Sequence, residues 1–180
     1  MKHKILLFFG IFIFLLTIFL NFKISLAQEK VPEVYKDKKN YFSVTPPAGW
    51  TKEEVVTDTV SQVNFRSPDG KAGLGIIAQQ DGGEINNLFS QKTDYVKEFR
   101  RRFPKGKFSL SWDTLGQHKV ILVNFEIPQL IKQKQYFFFD QGIRFDLVYG
   151  VGNFADFEKY NQIASSAFAT LQRPKIPQKK

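Results

Sequence analysis

Within the 180-residue chain, Arg100, Arg101, Arg102, Lys105 and Lys107 put five cations into eight consecutive positions. A cluster of that density can dock on an anionic surface, either phospholipid headgroups or an acidic protein face. The same residues also suit the last turn and solvated side of a helix, because the dipole favours cations at a helix C-terminus. The other candidates are thinner. Asp81 and Glu84 flank Gly82-Gly83, where oxygen ligands on a turn could hold a hard cation. They lack the alternating spacing of a calcium loop, and acids there also serve as helix entry. Asp140, Asp146 and Asp156 could act together only if the fold brings them together. Asp146 alternates with Phe145 and Leu147, so it is expected to pair with a lysine on a neighbouring strand. His118 follows Leu115-Gly116-Gln117 and reads as a turn residue, without the partners that a zinc site or a Ser–His–Asp arrangement needs. Phe137-Phe138-Phe139 could form a stacking platform, but in a sheet covered on both faces these rings are core.

These residues must be carried by a single domain. A chain of 180 residues with 43% hydrophobic and 24% charged residues has room for one sizeable core. That composition excludes a wholly disordered chain and a multi-span membrane protein. The absence of Cys excludes disulfides, thiolate metal sites, a cysteine nucleophile and a lipoprotein acylation site.

The first 27 residues read as a secretory signal peptide. Lys2, His3 and Lys4 give the positive start, and Ile5 to Leu20 is an apolar run broken only by Gly10 and Thr17. Ser25-Leu26-Ala27 supplies small residues at −3 and −1 of a cut before Gln28. The run is slightly short for a spanning helix, although an uncleaved segment would act as an N-terminal membrane anchor. Either way the remainder is expected outside the cytoplasm: in the periplasm, at the cell surface or in a thylakoid lumen. The formal charge of +9 then falls to +6, and 14 of the 20 Phe remain.

Residues 28–40 are polar and charged and read as a linker; 173–180 read as a basic tail; the globular part spans about 41–172. Tyr41 to Val44 reads as a strand stopped by Pro46-Pro47, with a turn at Ala48-Gly49-Trp50. Val60 to Phe65 and Ala72 to Ala78 flank Ser67-Pro68-Asp69-Gly70, whose proline and glycine positions suit a type I turn in a hairpin. Ile85, Leu88, Phe89, Lys92, Val96, Phe99 and Phe103 recur at helical spacing, giving a helix over 85–103 ended by Pro104. Strands follow at 108–112, 119–127, 135–140 and 143–151, with a tight turn at Gln141-Gly142. A last helix covers 153–171 with Asn153 as N-cap. Val120 to Val123 and Tyr136 to Phe139 are apolar at every position, so these strands should be covered on both faces. The expected architecture is α+β: an α/β/α sandwich with a mostly antiparallel central sheet covered by helices on both faces.

Tyr41-Phe42-Ser43-Val44-Thr45-Pro46-Pro47-Ala48-Gly49-Trp50 resembles the opening strand-Pro-x-x-Trp signature of the PsbP-like superfamily. The resemblance continues through Val63-Asn64-Phe65-Arg66, the central helix, and Tyr149, Phe154, Phe157 and Ser165-Ser166-Ala167-Phe168, covering about 41–171. The superfamily takes its name from an extrinsic lumenal subunit of photosystem II, and its fold is shared with a Ran-binding nuclear-import factor and exported bacterial domains. The resemblance implies an α/β/α sandwich and action by binding and assembly, with no catalytic residues to carry over. The photosystem subunit helps retain calcium and chloride, and its basic N-terminal extension contributes to docking. Here Lys30, Lys36, Lys38 and Lys39 are diluted by Glu29, Glu33 and Asp37.

The expectation is therefore a non-enzymatic exported binding or assembly module, monomeric and without a cofactor or metal. Its partner would be a protein at a membrane surface, with anionic lipid as a further contact. Nucleic acid is not expected, because no nucleic-acid-binding module signature is present. The alternative is a small-ligand or lipid carrier using a cavity between sheet and helix.

Overall fold

A computed structural model describes residues 34–174. The signal-peptide reading of 1–27, the first part of the segment read as a linker and the end of the basic tail lie outside the described residues. Among these residues nine strands and two helices follow in order. They are β1 (Tyr35–Lys36), β2 (Ser43–Val44), β3 (Thr51–Val56), β4 (Val60–Arg66), β5 (Ala72–Gln80), α1 (Ile85–Arg102), β6 (Lys107–Leu115), β7 (His118–Ile127), β8 (Ile131–Asp140), β9 (Ile143–Val151), a 3-10 turn (Phe154–Asp156) and α2 (Phe157–Ala169). β1 and β2 form a two-stranded sheet of their own. The other seven form one sheet in the order β3-β4-β5-β9-β8-β7-β6, and every neighbouring pair is antiparallel.

Local chemistry sets the turns. Gln141 and Gly142 both have positive φ, at 48° and 76°, the geometry that matches the twist of two antiparallel strands joined by a two-residue loop. In the β4–β5 hairpin the Gly70 N–H donates to the Ser67 carbonyl at 2.8 Å, and the Asp69 carboxylate accepts from the Lys71 N–H. The last helix enters as foreseen, with the Asn153 side chain accepting from the Ala155 N–H, although its first turn is 3-10.

The doubly apolar strands sort their side chains by parity. Val120, Tyr136, Phe138, Phe145, Leu147 and Tyr149 share a buried cluster with Phe157, Tyr160, Ala164 and Phe168 of α2. Ile121, Val123, Phe125 and Phe137 share another with Leu88, Val96 and Phe99 of α1. Successive strand residues point to opposite sides, so each side has its own cluster. Phe137 and Phe138 are core, at 3% and 1% exposure, and give no open stacking platform.

The structure departs from the sequence reading at the polar ends. Tyr35 is 2% exposed and packs against Phe42 and Phe65, so part of the expected 28–40 linker belongs to the fold. The buried Asp37 carboxylate takes the Ser61 hydroxyl and the N–H groups of Lys39 and Tyr41. β3 was not foreseen, because Thr-Lys-Glu-Glu-Val-Val lacks an apolar alternation. The first expected strand shortens to Ser43–Val44, whereas β6 and β8 are longer than read. At the other end Arg173 donates to the Tyr41 carbonyl at 2.8 Å, joining the expected tail's first residue to the fold.

Candidate functional site

The five predicted cations occupy the corner where α1 ends and β6 begins. Pro104 cannot extend the helix ladder, and the Phe103 N–H closes the last turn on the Phe99 carbonyl at 2.8 Å. The Gly106 N–H then donates to the Phe103 carbonyl at 2.8 Å, turning the chain into β6. A Cβ at Gly106 would come within 2.6 Å of the Phe108 ring, so the turn needs glycine for space. Arg100 spans the corner: its Nη2 donates to the Phe108 carbonyl at 2.8 Å.

The charges are unequal. Arg101 and Arg102 both donate to Glu98, and these bonds hold the Glu98 carboxyl down at about 2. Lys107 pairs with Glu126 at 2.9 Å on the facing strand. Arg100 bonds a neutral carbonyl in place of an acid, and Lys105 is exposed. Glu98 and Glu126 thus neutralise part of the cluster, and Arg100 with Lys105 carries its least compensated charge.

The corner adjoins an aromatic step on β6. Trp112 is 37% exposed and stacks on Phe89 of α1, ring centroids 4.6 Å apart and planes 13° from parallel. Lys119 Nζ lies 4.1 Å from the Trp112 ring centroid, within cation–π range. The other tryptophan, Trp50, is 4% exposed and packs edge-on against Tyr160.

The remaining sequence candidates do not converge. Asp140 faces Arg173 at 3.7 Å, Asp146 faces Arg144 at 3.2 Å, and Asp156 faces Lys71 at 3.6 Å. The partner of Asp146 is therefore an arginine two residues away on its own strand, not a lysine on a neighbouring one. Glu84 takes the N-cap position of α1 without a side-chain cap bond, and Asp81 accepts from the Gly83 N–H at 2.9 Å. His118 stacks on Phe138 at 4.7 Å beside the Gly116-Gln117 turn. Among the described residues there is no group of three or more His, Asp and Glu placed to hold a metal ion. No helix among them is long and apolar enough to cross a membrane.

One constellation was missed: an ionic seam under α1. Arg144, 7% exposed on β9, donates to Asp146 at 3.2 Å, Asp81 at 3.0 Å and Gln79 at 2.9 Å. Asp146 lies opposite Phe137 in the ladder, and over that ring sits Lys92 of α1, Nζ 3.6 Å from its centroid. Burial depresses the Lys92 ammonium to about 8, with Asp146 opposing and Arg144 reinforcing the shift. Tyr95 extends the seam to Gln135, which donates to Gln133 at 3.1 Å. The sequence held a signal: Lys92 falls on the apolar period of the helix, and Arg144 and Asp146 share one face of an otherwise apolar strand.

No family model matches the sequence, and no curated protein matches it. Solved structures do match. The solution structure of cyanobacterial PsbP (CyanoP) from Synechocystis superposes with a TM-score of 0.56 at 10% identity, covering 86% of this chain and 99% of that one. The chain has the PsbP-like fold. A crystal structure of a protein from Bacteroides thetaiotaomicron superposes with a TM-score of 0.53 at 18% identity over 86% of this chain. The match spans about half of that longer protein, 52% of its chain. At these identities the likeness to PsbP concerns the seven-stranded antiparallel sheet and its two helices, and function must come from the side chains.

Proposed function

We propose that this PsbP-like domain is a non-enzymatic, exported binding module that acts by protein–protein contact at or near a membrane, with the α1–β6 corner as its docking face. The observation that supports this most directly is the Arg100 bond to the Phe108 carbonyl, which fixes the cations at the helix end against an edge strand that carries Lys107. Cations held on a rigid framework lose less side-chain freedom when an anionic surface arrives. Their field steers association and is screened by salt over roughly 8 Å at physiological ionic strength.

The reading is tested by reversing the least compensated charges, Arg100→Glu with Lys105→Glu, in a salt-titrated pull-down from the membrane fraction. The expected result is association that falls with rising salt in the parent and is lost in the variant, which stays folded with its thermal midpoint lowered only by the loss of the Arg100–Phe108 bond. Association indifferent to both salt and charge reversal would sink the docking face. Stabilisation by a small apolar ligand in a thermal-shift screen, with no protein partner, would move the lipid- or ligand-carrier reading ahead.

A further inference from the structure

We propose that β6 is a strand-addition site, and that the partner supplies it with an extended, acidic segment. This rests on the reading of the adjoining corner as the docking face and names the kind of partner that the face takes.

β6 runs nine residues and, among the described residues, pairs on one side only, with β7. Leu115 and His118 flank the two-residue turn Gly116-Gln117, so they form the hydrogen-bonded pair nearest the turn. Antiparallel ladders alternate bonded and non-bonded pairs. Residues 107, 109, 111, 113 and 115 therefore spend their backbone groups on β7, whereas 108, 110, 112 and 114 aim theirs outward. Two side-chain contacts fit that assignment: Arg100 takes the Phe108 carbonyl, and the Asp113 carboxylate takes the Thr114 N–H at 2.8 Å. Between these two, the N–H and C=O groups of Leu110 and Trp112 face outward, and among the described residues no strand pairs with them. An extended chain laid there would complete the ladder at two successive outward positions, the geometry by which peptides add to sheet edges.

Charge selects the occupant. Arg100, Lys105 and Lys107 stand at one end of the open stretch and Lys119 at the other, with Asp113 the one acid on the strand. An acidic segment meets cations at both ends, and its side chains on the α1 side would reach the exposed Trp112 ring. A second copy of β6 would instead bring its own cations into that field.

The test uses the full chain in mild detergent and a synthetic peptide of about nine residues alternating Thr or Val with Glu. A control peptide carries Lys in place of Glu. Amide hydrogen exchange is read with and without each peptide. The expected result is exchange at Leu110 and Trp112 slowed roughly tenfold or more by the acidic peptide, with Ser109 and Ser111 unchanged and no effect from the Lys peptide. Trp112→Pro removes an outward N–H and should weaken peptide binding about tenfold, whereas Trp112→Phe should keep it. Should Trp112→Pro fail to fold, the exchange pattern of the parent still decides. Salt-sensitive binding without slowed exchange at Leu110 and Trp112 would overturn strand addition and leave the basic corner standing. Absence of peptide binding would also overturn it, and the membrane-fraction pull-down then judges the corner separately. Protection of the same amides by dimerisation without peptide would replace the acidic segment with a second copy.

Discussion

The two edges of the seven-stranded sheet are finished in opposite ways. At the β3 edge, Lys52, Glu53 and Glu54 are consecutive charges, and Glu54 pairs with Lys52 at 3.3 Å and with Lys38. Charged edge strands resist pairing with other chains. The layer beneath is closed by Tyr35, Phe42 and Phe65, and by Asp37 with its bonds to Ser61, Lys39 and Tyr41. At the β6 edge the strand is longer, its middle is Leu-Ser-Trp, and its two charges, Lys107 and Asp113, flank that middle. One edge is guarded against partners and tied down by buried contacts. The other leaves backbone groups, an aromatic ring and cations facing water. Stability and recognition are therefore expected to separate along the sheet.

The largest effect should come from the ionic seam between the two edges, which sets the scale. Arg144→Ala leaves Asp146 and Asp81 without their shared cation and should cost about 3–5 kcal/mol in denaturant unfolding. A cost below about 1 kcal/mol would mean that the seam behaves like a surface ion pair. Next comes the comparison itself. Tyr35→Ala on the guarded side should cost about 3 kcal/mol, whereas Trp112→Ala should cost about 1 kcal/mol, because Trp112 is already 37% exposed. Equal costs would erase the distinction between the edges.

A smaller effect is pH-dependent. Burial lowers Lys92 from 10.5 to about 8 in the folded state. Between those two pH values the unfolded chain holds the proton that the folded chain has released, so stability contributed at this site rises with pH. Relative to Lys92→Met, the parent should therefore gain stability as pH climbs from 8 to 10.5, by at most about 3 kcal/mol. A constant difference between the two over that range would show that Lys92 titrates alike in both states. Smallest of all, Arg101→Gln should leave the unfolding midpoint unchanged, since the Arg101–Glu98 pair is solvent-exposed. A clear drop in midpoint would give the open corner a structural role.

Much of this fold is legible in the sequence because packing and local chemistry agree. The Ile85–Arg102 helix follows the apolar period and stops before Pro104, and the Gln141-Gly142 turn needs two residues that accept positive φ. β3 escaped because an edge strand with no buried residue can be built from Thr, Lys and Glu, whose polarity reads as loop. Tyr35 escaped because its neighbours are charged and its burial depends on Phe65, thirty positions away. The cation cluster could be named from its density, but Glu126, which compensates Lys107, is set by the β6–β7 register. The seam needed the β5–β9 pairing, which places Gln79 opposite Arg144.

The central claim is that a partner sits on the β6 edge and not on β3. It is tested most directly by placing a photoreactive side chain at Ser111 on β6 and, separately, at Glu53 on β3, in the full chain exposed to the membrane fraction. A discrete protein adduct is expected from position 111, disappearing with Arg100→Glu and Lys105→Glu, and none from position 53. Adducts of equal yield from both positions, or from position 53 alone, would contradict it.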